Sequence, residues 1–304
     1  MDAIPADDLV ARHLWTHVDR LAGLIGPRHF GVPSRLAAAA SLIERELAAL
    51  DYPVIRQTYP VGGRDAVNLI AQLDGRDRAD EIIVLGAHYD TVESTPGADD
   101  NASAVAVLIE AARLLRQSSP RRTLRFVAFT CEEPPHFYTA TMGSQVYARQ
   151  CRTTGERITG MLSLEMVGYY SNDPGSQGYP AEMPRWLRWA FPHRGDFLAA
   201  VSNLRSWKLG LSFRRGFKRA ARFPLYSIAL PEAASFIRLS DNSSFWDQGY
   251  PAMMITDTSF LRNPHYHAST DLPETLDYGC MSQVTYGLAG GVARLSRGSF
   301  LGPK

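Results

Sequence analysis

Apolar positions change their period along this chain, and the changes mark its elements. Near the start, Leu9, Val10, Leu14, Val18 and Leu21 recur at helical spacing, and Gly26-Pro27 ends the run. Leu36, Ala39, Ile43, Leu47 and Leu50 form the stripe of a second helix over 34–50. The pattern then switches. Residues 67–73 read as a strand, and Ile82-Ile83-Val84-Leu85 is a continuous apolar run suited to a sheet covered on both faces. A helix over 102–117 carries Val105, Ile109 and Ala112 on one side. Strands follow at 124–130, 161–164 and 252–255, and a helix over 281–295 closes the pattern. Strands alternating with helices predict an α/β fold, a mainly parallel or mixed sheet with helices on both faces.

Residues 171–235 break this rhythm. Gly175, Gly178, Pro180, Pro184, Pro192 and Gly195 interrupt them, and Arg214, Arg215, Lys218, Arg219 and Arg222 form a basic cluster. The segment reads as an irregular insertion or flap on a single domain spanning 1–304. The basic cluster reads as a solvated face, with capture of a substrate carboxylate as its functional alternative. Trp186, Trp189 and Trp207 read as flap or core packing.

Composition removes several classes. Of 304 residues, 45% are hydrophobic and 21% charged, which argues against disorder. A net charge of +1 gives no field that selects nucleic acid or an anionic membrane as partner. Cys131, Cys151 and Cys280 form no C-x-x-C pair, so neither a disulfide framework nor a cysteine zinc knuckle is indicated. The acidic N-terminus lacks the features of a signal peptide, and no run approaches the ~20 apolar residues that span a bilayer. These features predict a cytoplasmic protein.

The candidate chemistry lies where strands end. His88 follows the 82–87 strand, Glu132 and Glu133 follow 124–130, and Glu165 ends 161–164. Asp99 and Asp100 sit in a loop at the start of the 102–117 helix, and His267 lies in a loop after the last strand. Open α/β sheets build sites at the carboxyl ends of their strands, so these groups can converge. Each alone has an ordinary structural reading: a solvated Glu-Glu loop, an Asp helix cap, a core histidine. Together they differ, because imidazoles and carboxylates without thiolates suit a catalytic zinc site. Asp90, two residues beyond His88, can hydrogen-bond the imidazole's other nitrogen. In an extended segment Glu132 and Glu133 point to opposite sides, one to metal and one to water.

The segments GAHYDT (86–91), PGADDNAS (96–103), FVAFTCEE (126–133), LSLEMVG (162–168), SDNSSFWDQGYPAMMITDT (240–258) and NPHYHASTD (263–271) occur in an order that resembles metallopeptidase family 28, the co-catalytic zinc aminopeptidases. The resemblance runs from about 68 to 277. It implies a three-layer sandwich around a mixed sheet of about eight strands, two Zn ions per chain, and a peptide substrate with a free N-terminus. It further implies that His88 and His267 bind different ions, that Asp100 bridges them, and that Glu133 and Glu165 complete the two shells. Glu132 is then the general base, Asp90 orients His88, and Tyr266 resembles a tyrosine that polarises the substrate carbonyl. This chain departs from the familiar pattern with Glu165 in place of Asp, Asn242 where histidine is frequent, and Ala104 where glycine is frequent.

Two cations ~3.5–4 Å apart can lower the pKa of a shared water toward ~7 and clamp a tetrahedral oxyanion. No G-x-S-x-G elbow, H-E-x-x-H helix or P-loop offers a different scheme. The rivals are a glutaminyl-cyclase-like transferase on the same scaffold, which uses one zinc, and a non-catalytic interaction module.

Overall fold

The computed structural model describes residues 8–298 apart from 182, 184 and 190. Eight strands, β1 (Val54–Val61), β2 (Arg64–Leu73), β3 (Arg78–His88), β4 (Arg122–Phe129), β5 (Arg157–Glu165), β6 (Leu198–Asn203), β7 (Leu225–Leu230) and β8 (Ala252–Thr256), form one sheet in the order β1-β2-β4-β3-β5-β8-β6-β7. Neighbours β4, β3, β5 and β8 run parallel, so their carboxyl ends share one edge. β1 and β2 pair antiparallel on one flank, and β6 is antiparallel to β8 but parallel to β7 on the other. The expected mixed α/β sheet is present.

Alternation along each central strand feeds two cores. Ile83, Leu85 and Ala87 pack against α1 (Leu9–Val18), α2 (Pro33–Ala48), α3 (Ala104–Leu115), α6 (Trp207–Ala220) and α8 (Tyr278–Arg297). Ile82 and Val84 face the opposite layer, where α4 (Gly143–Thr153) and α7 (Asn242–Asp247) contribute Tyr147, Ala148, Phe245 and Trp246. The same split recurs on β8, with Met253 and Ile255 on the first side and Ala252 on the second. Helix starts follow local chemistry: Asp8 and Asp277 accept hydrogen bonds from the backbone amides of Ala11 and Cys280, and Pro33 opens α2. The short α5 (Arg185–Arg188) lies between β5 and β6.

The expected irregular insertion over 171–235 is corrected by this topology. Its second half supplies β6 and β7 to the common sheet, with α6 between them, and its described irregular part ends near residue 197. Arg214, Arg215, Lys218 and Arg219 of the basic cluster form the solvent face of α6, whose Leu209, Phe213 and Phe217 are buried, and the exposed Arg222 follows the helix. Trp186 and Trp189 are 76% and 79% exposed and Trp207 is half-exposed, so the expected tryptophan packing is not found.

Candidate metal centre

β3, β4 and β5 deliver their last residues to one place. His88 ends β3, Glu132 and Glu133 follow β4 by three and four residues, and Glu165 ends β5. The backbone is forced into unusual conformations there. Cys131, Met166 and His267, each a candidate ligand or its neighbour, hold φ of 56°, 47° and 55°, a left-handed region that non-glycine residues seldom occupy. Gly97 also has positive φ, and a Cβ there would stand 2.3 Å from the carbonyl oxygen of Asp100. Only glycine lets the chain double back tightly enough to present Asp100.

The candidate ligands converge. His88 Nε2 lies 3.4 Å from Asp100, 3.5 Å from Glu165 and 3.8 Å from Glu132, while His267 Nε2 lies 3.1 Å from Asp100 and 3.4 Å from Glu133. Asp100 thus faces both imidazoles, one with each carboxylate oxygen. The other ring nitrogen of His88 stands 3.2 Å from the carbonyl oxygen of Asp90. Donation from Nδ1 to that carbonyl would leave the Nε2 lone pair of the neutral ring free for a metal ion. His88 Nε2 and Asp100 Oδ1 are buried without hydrogen-bond partners. Tetrahedral zinc ligands at ~2.0–2.1 Å from their ion stand roughly 3.3 Å apart, so these spacings and orphaned atoms fit bound cations.

Charge supports the same fit. Burial and the neighbouring Glu165 and Glu133 hold Glu132 well above the usual carboxylate range, against the pull of His88. Burial and Asp100 push Glu133 up to about 7. Burial opposes charging of His88, yet Glu132, Asp100, Asp90 and Glu165 hold its pKa well above the ordinary value. His267, also opposed by burial, is raised to about 10 by Asp100 and Glu133. Asp100 is the exception: burial would raise it, but the facing imidazoles of His267 and His88 pull it below its ordinary value. Four carboxylates around two imidazoles leave an excess of negative charge that divalent ions would neutralise.

Several supporting residues escaped the motif reading. The Asp90 carboxylate, expected to orient His88, lies 3.7 Å from its Nδ1 and instead accepts hydrogen bonds from the amides of Glu132 and Glu133, each 3.1 Å. Asp271 does the same for the amides of Asp99 and Asp100, at 2.8 and 3.1 Å. Ser240 donates to Glu165 at 2.7 Å. The Asn101 amide bridges the carbonyl of Leu164 and the N–H of Met166, on either side of Glu165. All lie inside or beside the quoted segments, but nothing in a linear pattern separates a carboxylate that binds metal from one that clamps backbone. Tyr266 stacks on His267, with ring centroids 3.8 Å apart, and borders the same cavity.

That cavity contains Asp100, Glu132, Glu133, Glu165 and His267 at one end and is otherwise mainly apolar. Among the described side chains no lysine or arginine lines it, and none of the α6 cluster does, so that cluster is not a carboxylate receptor within it.

Comparison with known proteins gives the family and the fold. An uncharacterized protein, YfbL, from Escherichia coli (strain K12) is 36% identical over 276 residues, covering 88% of this chain and 83% of the other. Leucine aminopeptidase 1 from Trichophyton equinum is 26% identical over 244 residues; the match covers 76% of this chain but 58% of that protein's length. In fold, the chain is similar to BSAP, a zinc aminopeptidase from Bacillus subtilis (TM-score 0.73, 16% identity, 94% and 95% of the two chains covered). It is also similar to a glutaminyl cyclase from Fimbriiglobus ruber (TM-score 0.65, 20% identity, 96% and 97% covered). The model of peptidase family M28 matches residues 68–290, a stretch that holds every candidate ligand from His88 to His267, and the chain belongs to that family.

Proposed function

We propose that this chain is a zinc-dependent exopeptidase that removes the N-terminal residue of peptides. Two zinc ions would be held, one by His88, Asp100 and Glu165 and the other by Asp100, Glu133 and His267, with Asp100 shared. Zinc bound there supplies Lewis acidity toward the scissile carbonyl and the attacking water. Glu132 takes the water's proton and delivers it to the leaving amine. Asp90 holds the backbone of Glu132 and Glu133 so that one faces water and the other metal. Tyr266 polarises the carbonyl from beside His267.

The observation that carries the reading is the charge of the cavity. No described cationic side chain lines it, so nothing there pairs with a C-terminal carboxylate, which disfavours a carboxypeptidase. The relatives named as aminopeptidases support the same choice. Zinc-loaded protein should release the N-terminal residue from a free peptide and fail on the N-acetylated one. Equal cleavage of both would overturn the aminopeptidase reading. Full activity at one zinc per chain, measured by elemental analysis, would favour the cyclase instead.

A further inference from the structure

The carboxyl end of β5 begins a row of side chains that crosses the sheet. Glu165 pairs in register with Thr256, Thr256 with Ala199, and Ala199 with Tyr226. The next row runs from Met254 through Val201 to Ile228. All these side chains line the cavity. Their strand neighbours Leu198, Ala200, Met253 and Ile255 belong to the opposite core, as strand alternation requires. One face of β8, β6 and β7 is therefore the floor of a trough that starts at a candidate metal ligand and ends at the sheet edge. Phe137, Phe191, Phe236 and Phe260, none of them on these strands, also line the cavity, and Tyr226, 42% exposed, marks the outer end.

Its length is set by strand spacing. Three steps of about 4.8 Å carry the row roughly 14 Å from Glu165 to Tyr226. A leucine side chain extends three carbon–carbon bonds of about 1.5 Å each from its Cα, enough to cover Thr256 and little more. Phenylalanine, tryptophan or an unbranched alkyl chain reaches over Ala199, the smallest side chain in the row. With one methyl there, the floor stays open midway along the trough.

We infer that this trough receives the side chain of the substrate's N-terminal residue, that it selects aromatic and long unbranched apolar side chains, and that Ala199 sets the admitted length. The inference rests on the aminopeptidase reading and extends it to a substrate class. Filling the floor at Ala199 removes the space that distal atoms occupy while leaving the candidate ligands in place. A mismatch of even one methylene in an apolar pocket changes discrimination by about tenfold or more.

The test uses the full chain loaded with zinc and a series of aminoacyl anilides: alanyl, leucyl, phenylalanyl, tryptophanyl and 2-aminooctanoyl. Wild-type kcat/KM should rise along the series and be higher for the last three than for leucyl. In A199L, and less severely in A199V, the tryptophanyl-to-alanyl and aminooctanoyl-to-alanyl ratios should fall by about tenfold or more, with metal content and melting temperature as in wild type. Each ratio is taken within one variant, so a general loss of activity cancels. Unchanged ratios in both variants, or a wild-type optimum at alanyl or leucyl, would overturn the trough while the aminopeptidase reading stands. No hydrolysis of any free-amine substrate by the metal-loaded wild type would overturn both.

Discussion

Glu132 and Glu133 are adjacent in sequence and nearly equally buried, yet their surroundings differ. Glu133 faces His267 at 3.4 Å, whereas Glu132 lies 3.8 Å from His88 and no closer than that to any imidazole with which it pairs. Distance alone can group His88, Glu132 and Glu165 as a ligand set, so the division of labour needs a chemical test. Glu132→Gln keeps shape and hydrogen-bonding reach but cannot accept a proton. It should bind zinc as wild type does and lose roughly 10²–10⁴ in kcat. Glu133→Gln should lose zinc as well as rate. Zinc titration alongside kcat separates the two, and wild-type turnover in Glu132→Gln would remove Glu132 from the chemistry. Glu165 is a related case, one methylene longer than the aspartate of the familiar pattern and braced by Ser240. Glu165→Ala should weaken zinc binding, while Glu165→Asp should keep substantial activity. Unchanged zinc affinity and turnover in Glu165→Ala would mean that β5 ends beside the site without serving it.

At the scale of elements, the loops that carry the candidate ligands are held by two buried aspartates, Asp90 for the Glu132–Glu133 pair and Asp271 for Asp99–Asp100. Asp271→Asn replaces one acceptor oxygen by a donor, so one of the two amides loses its partner. Zinc affinity should fall by roughly 10–100-fold, as for other residues that orient ligands. If zinc affinity is unchanged in a well-folded Asp271→Asn protein, the clamp has no part in presenting Asp100. Asp271 could not be singled out from the sequence because its role depends on a contact 171 residues away. Central strands were legible for the opposite reason: β3, β5 and β8 are buried on both faces along their carboxyl halves, which read as apolar runs broken in β5 by Ser163. The flank strands β1 and β7 mix exposed and buried positions, so their sequences, VIRQTYPV and LYSIAL, carry a weak signal. α6 was hidden by its glycines. Gly216 meets α8 so closely that a Cβ would stand 2.5 Å from the carbonyl oxygen of Gly290, and the tight packing that demands glycine also lowers helix propensity. Read locally, the remaining residues look like a loop with a basic cluster.

At the scale of the molecule, the carboxylates that make the site also make the metal-free fold sensitive to pH. Burial, reinforced by neighbouring acids, pushes Glu133, Asp241 and Asp271 each up to about 7. In the unfolded chain they return to ordinary values near 4. Between these limits the folded metal-free protein holds protons that the unfolded chain has released, so its stability falls as pH rises toward and through 7. His267 acts in the same direction over a higher range, since its raised value of about 10 gives stability that is lost as pH climbs through it. Asp100, held low, contributes in the opposite sense, but only below its ordinary value of 3.8. Zinc reverses the dependence, because it binds the deprotonated carboxylates and displaces their protons. Its stabilisation, about 2.7 kcal/mol at a hundredfold excess over Kd, therefore grows with pH as the affinity rises. Thermal unfolding of metal-free and zinc-saturated protein from pH 5 to 8 should show the metal-free midpoint falling and the gap between the two curves widening. A metal-free midpoint that rises over this range, with a gap that narrows, would mean that the buried acids are already compensated within the protein and that zinc is not what neutralises them.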